Sequence, residues 1–275
     1  MSIKRWMAQR LSLGYVTGPD LGNAIDAARL AAAKGWRTTL CRWNDPSETT
    51  EGMLQSYIAA LQEIIRNKFD CYLSIKAPAF EYRTDVVRTV LDLAKTHGIR
   101  VHFDAQELVT VSRTLELLRE LVKDYTNLSF TLPCRWERSL ADAERLIEWQ
   151  VPVRVVKGEF PGPEGDAFEL ERSYLRLVER LAGRAKHVAV ATHRPALAAR
   201  SLGQLIERGT SCELEQLYGL PLQAVNATAH LGVPVRIYLP YGETYLPYGI
   251  SMMLRRPEVA YWIVRDLALG DRIRL

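Results

Sequence analysis

Eight short apolar or β-branched runs recur along this chain with starts 23 to 34 residues apart. That repetition limits the possible folds more than any other feature. The runs are Arg37–Arg42, Cys71–Ala77, Val101–Ala105, Leu128–Pro133, Val153–Gly158, His187–His193, Cys212–Leu217 and Val235–Pro240. Between consecutive runs lie segments with apolar residues three and four apart, the period of a helix face. Leu54, Tyr57, Ile58, Leu61, Ile64 and Ile65 make the first stripe, and Leu170, Tyr174, Leu177, Val178 and Leu181 a later one. A long last helix is predicted from Tyr245. Gly98, Gly209 and Gly232 stand where a left-handed residue closes a helix. One further helix, Gly22–Lys34, precedes the first run and is ended by Gly35.

Strand–helix units in strict alternation predict an α/β fold, a (β/α)8 TIM barrel with an extra N-terminal helix. The rival is an open doubly wound sheet, which usually carries a glycine-rich turn after its first strand. Here that turn reads Trp43-Asn44-Asp45-Pro46-Ser47, with no GxGxxG. The units use nearly all of the 275 residues, so a single barrel domain over 1–275 is expected.

Composition narrows the function. The net charge of +4 is spread along the chain rather than gathered into a patch or arm, which argues against a nucleic-acid partner. No run approaches the roughly 18 apolar residues of a membrane span, and the start lacks the apolar core of a secretory signal. Cys41, Cys71, Cys134 and Cys212 are far apart and show no zinc-ligand spacing. Free thiols and a cytoplasmic location are therefore expected.

In a barrel of this kind the chemistry sits at the C-terminal ends of the strands. Those ends carry Lys76, Asp104, Pro133-Cys134-Arg135, Arg154 with Lys157, and Thr192-His193-Arg194; the last two strands carry Glu213, Glu215 and Gln216, then Arg236 and Tyr238. A purely structural barrel would hold Val, Ile and Leu at its inward positions. Charges buried close together must pair, so a structural ion network is one reading. The other is a site for an anionic ligand: Lys76, Arg154 and Lys157 crowd out a divalent metal but suit a phosphate, a carboxylate or a reduced flavin anion. No nucleophile elbow suggests acyl transfer.

Four stretches resemble the proline dehydrogenase family, flavoenzymes with a distorted (β/α)8 barrel that oxidise L-proline to pyrroline-5-carboxylate. Val153-Arg154-Val155-Val156-Lys157-Gly158 is similar to the family's "VRLVKGAY", and Ala191-Thr192-His193-Arg194-Pro195 to "ATHNP". Cys212 to Gly219 is a weaker match to "EFQMLYG", and Arg236-Ile237-Tyr238-Leu239-Pro240-Tyr241-Gly242 with Tyr248 is similar to "RIYVPYG…WYPY". Lys76 in "SIKA" and Asp104 in "FDAQE" are single-residue matches in the same order. The resemblance implies FAD as cofactor, with Arg154 beside the flavin N5, Lys157 nearby, and Thr192 and His193 on the phosphate and ribose region. It also implies a Lys76–Asp104 ion pair under the substrate, Tyr238 and Tyr248 as pocket walls, and Leu217 as an apolar contact.

The sequence departs from the family at its carboxylate clamp, a Tyr-x-x-Arg-Arg signature on the last barrel helix. Arg255-Arg256 lie seven residues after Tyr248, not three. Aligned without a gap, the Arg pair is replaced by Ser251 and Met252, and the downstream Arg-Pro and Arg-x-Leu fall in register. Residues three and four after Tyr248 would share its helix face, so Ser251 and Met252 are expected in the substrate pocket. Pro133 replaces a family Gln that contacts flavin, and Arg194 follows the His where the family has Asn or Asp. Three functions follow from these observations. One is an FAD-dependent oxidoreductase acting on the C–N bond of a proline-like or other small amine without a free carboxylate at the usual place. The second is a true L-proline dehydrogenase, which needs a gap that brings Arg255-Arg256 into the site. The third is a flavin-free barrel with a binding or lyase role. Trp36, Trp43, Trp136 and Trp149 are expected to pack in the fold, and His97, His102, His187 and His230 to be structural or exposed.

Overall fold

Eight parallel strands close on themselves in chain order, β1 through β8. The computed structural model describes residues 16–43, 48–160 and 169–242. The chain order is α1 (Leu21–Ala33), β1 (Arg37–Trp43), α2 (Thr50–Asn67), β2 (Cys71–Ile75), α3 (Thr84–Thr96), β3 (Val101–Phe103), α4 (Val111–Leu121) and β4 (Leu128–Pro133). It continues with α5 (Ser139–Glu148), β5 (Val153–Val156), α6 (Leu170–Leu181), β6 (Val188–Ala191), α7 (Pro195–Glu207), β7 (Cys212–Leu217), α8 (Gln223–Thr228) and β8 (Val235–Gly242). The barrel predicted from the alternation is the observed fold, and the open sheet is excluded by the pairing of β8 with β1 from Arg37↔Arg236 to Trp43↔Gly242.

All eight predicted strands are present: β2, β3, β5 and β6 are trimmed at their ends, β4 and β7 match, and β1 and β8 run longer. Strand β2 stops at Ile75 because Ala77–Phe80 turns into a short 3-10 helix with Pro78 near its start. Strand β8 runs two residues further than predicted, to Gly242. The glycines read as helix stops do take positive φ, at 67° for Gly98, 69° for Gly209 and 64° for Gly232. The extra helix, α1, lies over the seam where β8 meets β1. Its buried face is mostly alanine (Ala24, Ala27, Ala28 and Ala31), which lets its backbone approach the strands closely.

Strand residues alternate between two faces. Leu40, Leu73, Ile75, Phe103, Phe130, Leu132, Val155 and Leu239 take one face, and none is more than 1% exposed. Their packing partners include Tyr57, Leu118 and Tyr174 of α2, α4 and α6. Each such side chain contributes about 1.5–3 kcal/mol on burial. The alternate residues point into the barrel, and that is where the polar side chains collect.

Candidate functional site

Asp104, the first residue after β3, is the centre of the interior network. Its Oδ2 accepts hydrogen bonds from Ser74 Oγ at 2.6 Å and from the Tyr238 hydroxyl at 2.8 Å. Its Oδ1 accepts from Thr131 Oγ1 at 3.2 Å and is ion-paired with Arg154. Arg154 enters from β5, donates to Glu215 Oε1 at 2.8 Å, and lies 4.8 Å from the centroid of the Tyr238 ring. Burial pushes the Asp104 carboxyl up, but the Arg154 guanidinium and the hydroxyl donors outweigh it and hold the carboxyl down at about 2. Glu215 shares the same guanidinium, yet for this residue burial wins and its carboxyl is raised.

A second cluster closes the other end of the barrel. Arg236, fully buried, donates from Nε to Glu213 at 2.8 Å, lies 3.4 Å from the Tyr72 ring centroid, and reaches Asp70 at 3.3 Å. Arg37 and His187 also stand within 3.5 Å of Glu213. Asp70, Arg37 and His187 all lie at strand starts. Glu213 and Arg236, read from the sequence as part of the strand-end group, therefore belong to the N-terminal end of the barrel. Two residues along a strand displace a side chain by about 6.6 Å, which separates them from Glu215 and Tyr238.

At the mouth, Lys76 follows β2, Lys157 follows β5, Thr192 and His193 follow β6, and Leu217 ends β7. Lys157 is exposed; Lys76, Thr192, His193, Leu217 and Tyr238 are half-buried. The charge of Lys76 acts on the Cys41 thiol, which lies 3.6 Å from Asp104. Asp104 is ion-paired with Arg154, which crosses the interior and is clamped by two carboxylates at once. His193 has both ring nitrogens engaged by backbone. Its Nε2 accepts from the Leu217 N–H at 3.0 Å, which leaves Nδ1 to donate to the Pro221 carbonyl at 3.2 Å. Burial lowers its pKa, so the ring is neutral. Thr192 offers its carbonyl to Gln216 Nε2 at 2.7 Å and its hydroxyl to the Arg194 N–H at 3.3 Å. Tyr248, Ser251, Met252 and the Arg255-Arg256 pair lie outside the described residues.

Sequence reasoning missed several participants. Ser74, Thr131 and Cys41 each bond to Asp104, and His102, expected to be structural, bonds to Ser129 and Thr131. The available signal was period two: Ser74 and Lys76, and His102 and Asp104, share a strand face. Gly158 is a further such residue. It has φ 92°, and a Cβ there would stand 2.7 Å from Pro133 Cβ. Only a residue without a side chain lets the segment after β5 pass this close to the end of β4.

The sequence profile of the family described as Proline dehydrogenase matches residues 38–256. Proline dehydrogenase 2 of Bacillus subtilis is 22% identical over 271 residues, covering 93% of this chain and 89% of that protein. Proline dehydrogenase of Deinococcus radiodurans is 27% identical over 290 residues, covering 97% and 92%. Among solved structures, proline utilization A from Bdellovibrio bacteriovorus, inactivated by N-propargylglycine, shares the fold with a TM-score of 0.77 at 18% identity. That match covers 90% of this chain and 32% of the other, so the present chain spans about a third of it. Among the described residues no helix is long and apolar enough to cross a membrane. A closed barrel with its polar strand ends and a profile match over most of its length place this chain in the proline dehydrogenase family of flavin-dependent oxidoreductases.

Proposed function

We propose that this protein is an FAD-dependent oxidoreductase that oxidises the C–N bond of a proline-like amine whose usual carboxylate position is neutral. The observation that carries the reading is the buried Arg154, held between Asp104 and Glu215 and stacked on Tyr238 beneath the strand ends. Such a cation suits the negative charge that develops on a reduced isoalloxazine.

The donor set fits this cofactor. Lys157 and Lys76 bring positive charge to the mouth. Gln216 Oε1 is buried with no hydrogen-bond donor among the described residues. When bound, the flavin supplies the hydride acceptor. The chain's own residues do the rest. Tyr238 walls the pocket, and its hydroxyl is oriented by Asp104. Asp104 remains ionised across neutral pH and does not compete for the substrate's proton. His193 ties the β6–α7 and β7–α8 loops together and so shapes the mouth. Lys76, Asp104, Tyr238 and Tyr248 are assigned to the reacting centre, with Leu217, Ser251 and Met252 lining the substrate pocket. Arg154, Lys157, Thr192 and His193 are assigned to the cofactor.

The neutral-substrate reading rests on the ungapped pairing of Ser251 and Met252 with the family's Arg pair. Losing one partner of a buried charge contact costs about 2–5 kcal/mol, so free proline should bind weakly. L-proline oxidation is the second reading, favoured by a profile match that extends to residue 256 and so includes Arg255 and Arg256. Purified protein should be yellow, and a dye-reduction assay should show turnover of proline amides or esters over L-proline. Protein that stays colourless after incubation with FAD rejects the reading. Efficient L-proline turnover that is lost in Arg255→Ala and Arg256→Ala supports the second. Gain of L-proline turnover in Ser251→Arg with Met252→Arg supports the first.

A further inference from the structure

Beneath Tyr238 runs an unbroken line of hydrogen bonds that the proposed reaction does not use directly. Ser129 Oγ lies 2.8 Å from His102 Nδ1, and His102 Nε2 lies 2.7 Å from Thr131 Oγ1. Thr131 Oγ1 lies 3.2 Å from Asp104 Oδ1, and the Tyr238 hydroxyl lies 2.8 Å from Asp104 Oδ2. Ser129, His102 and Thr131 are each no more than 4% exposed. A buried imidazole with both nitrogens bonded to hydroxyls, in a polar line that reaches Tyr238, is more than packing requires.

The donors along this line can be assigned by elimination. An ionised carboxylate only accepts, so Thr131 must spend its single hydrogen on Asp104. Thr131 also receives Arg154 Nε at 3.3 Å and Nη2 at 3.0 Å, which are donors. His102 Nε2 must then carry the hydrogen and donate to Thr131. His102 Nδ1 must accept, so Ser129 donates to it. Placing the hydrogen on Nδ1 instead would turn Thr131 away from Asp104 and set two lone-pair-bearing oxygens 3.2 Å apart. Burial most strongly disfavours a charged imidazole here, Arg154, Arg100 and Arg236 add to it, and Asp104 opposes them.

We infer that His102 is a positioning residue, which in its neutral Nε2–H form aims Thr131 at Asp104 and so fixes the direction of the Tyr238 hydroxyl in the substrate pocket. Thr131 saturates Oδ1 alongside Arg154, which leaves Oδ2 for Ser74 and Tyr238. The carboxylate can then neither rotate nor exchange its partners without breaking several bonds. The inference rests on the reading of Tyr238 as a pocket wall, but the line itself lies within the polypeptide.

The test is a nuclear magnetic resonance measurement on the full chain with isotope-labelled tyrosine and histidine, the Tyr238 signal being assigned by its disappearance in Tyr238→Phe. His102 should show the Nε2–H neutral form. His102→Leu should shift the Tyr238 ring signal, and His102→Gln should restore it, because a glutamine amide supplies one donor and one acceptor. In a Thr131→Val background the effect of His102→Leu on Tyr238 should vanish, as expected when two residues act through one line. An Nδ1–H form, or a Tyr238 signal unmoved in a folded His102→Leu protein, would overturn the inference. Neither readout requires flavin or substrate, so a colourless protein would defeat the proposed oxidation and leave this result standing. Where turnover is measurable, His102→Leu should lower kcat in the wild-type background but not in Tyr238→Phe.

Discussion

Arg154 on β5 and Tyr238 on β8 meet across the barrel interior, with the guanidinium carbon 4.8 Å from the ring centroid, and both are tied to the same carboxylate, Asp104. The contact joins a cation, an anion and an aromatic ring in one hydrogen-bonded unit. Removing any one of the three disturbs the other two.

Arg154→Met leaves Asp104 and Glu215 facing each other in a buried interior. Breaking a buried pair by deleting one partner costs about 3–5 kcal/mol, and urea denaturation should show a loss of that size. The two carboxylates should not respond alike. Asp104→Asn removes the group held ionised at about 2 and should destabilise strongly. Glu215→Gln replaces a carboxyl already raised by burial and should cost less. Equal losses in the two variants would show that Arg154 does not discriminate between them.

Stability should fall as the solution is acidified through the ordinary histidine range. Folded His102 and His193 both have pKa values lowered from 6.5, His102 by burial and Arg154, His193 by burial. Below pH 6.5 the unfolded chain binds protons that the folded chain refuses, so the stabilisation present above that pH is progressively lost. The slope is at most about 1.4 kcal/mol per pH unit for each histidine. Urea midpoints measured from neutral pH down to the carboxylate range should decline, and His102→Gln should flatten the decline. Asp104 adds a separate loss at lower pH, between 3.8 and about 2.

Gly158→Ala should be costly although it adds one methyl group. The φ of 92° disfavours any side chain, and the new Cβ would stand 2.7 Å from Pro133 Cβ. Strain of this kind costs about 1–3 kcal/mol. Thermal unfolding should record it, and the ratio of bound flavin to protein should drop if the backbone after β5 shapes the cofactor site.

His193→Ala should destabilise the protein even without cofactor. The ring bridges the Leu217 N–H and the Pro221 carbonyl, and a buried backbone group left unsatisfied costs about 1–3 kcal/mol. Unfolding of cofactor-free wild type and variant compares the two directly. No difference would mean that His193 acts only through a bound ligand.

Much of this was legible from the chain alone. The apolar runs located all eight strands because in a barrel covered by helices the outward strand face must be apolar, and residues such as Leu40, Leu73 and Val155 meet that demand. The placement of Lys76, Asp104, Thr192 and His193 at strand ends was legible because strand ends in this fold lie on one rim. Glu213 and Arg236 were misplaced because the sequence shows which residues lie on a strand but not how far neighbouring strands are staggered.

What the sequence by itself determined was the repeat, and with it the closed barrel and the rim on which its chemistry stands; local period and burial are enough for that. What only the tertiary structure decided was who pairs with whom. Arg154 is paired with Asp104, His102 is hydrogen-bonded into the same network, and Glu213 sits with Arg236 at the other end of the barrel. Each outcome depends on which side chains cross a shared interior at a given level, a quantity set by strand tilt and register and carried by no single segment.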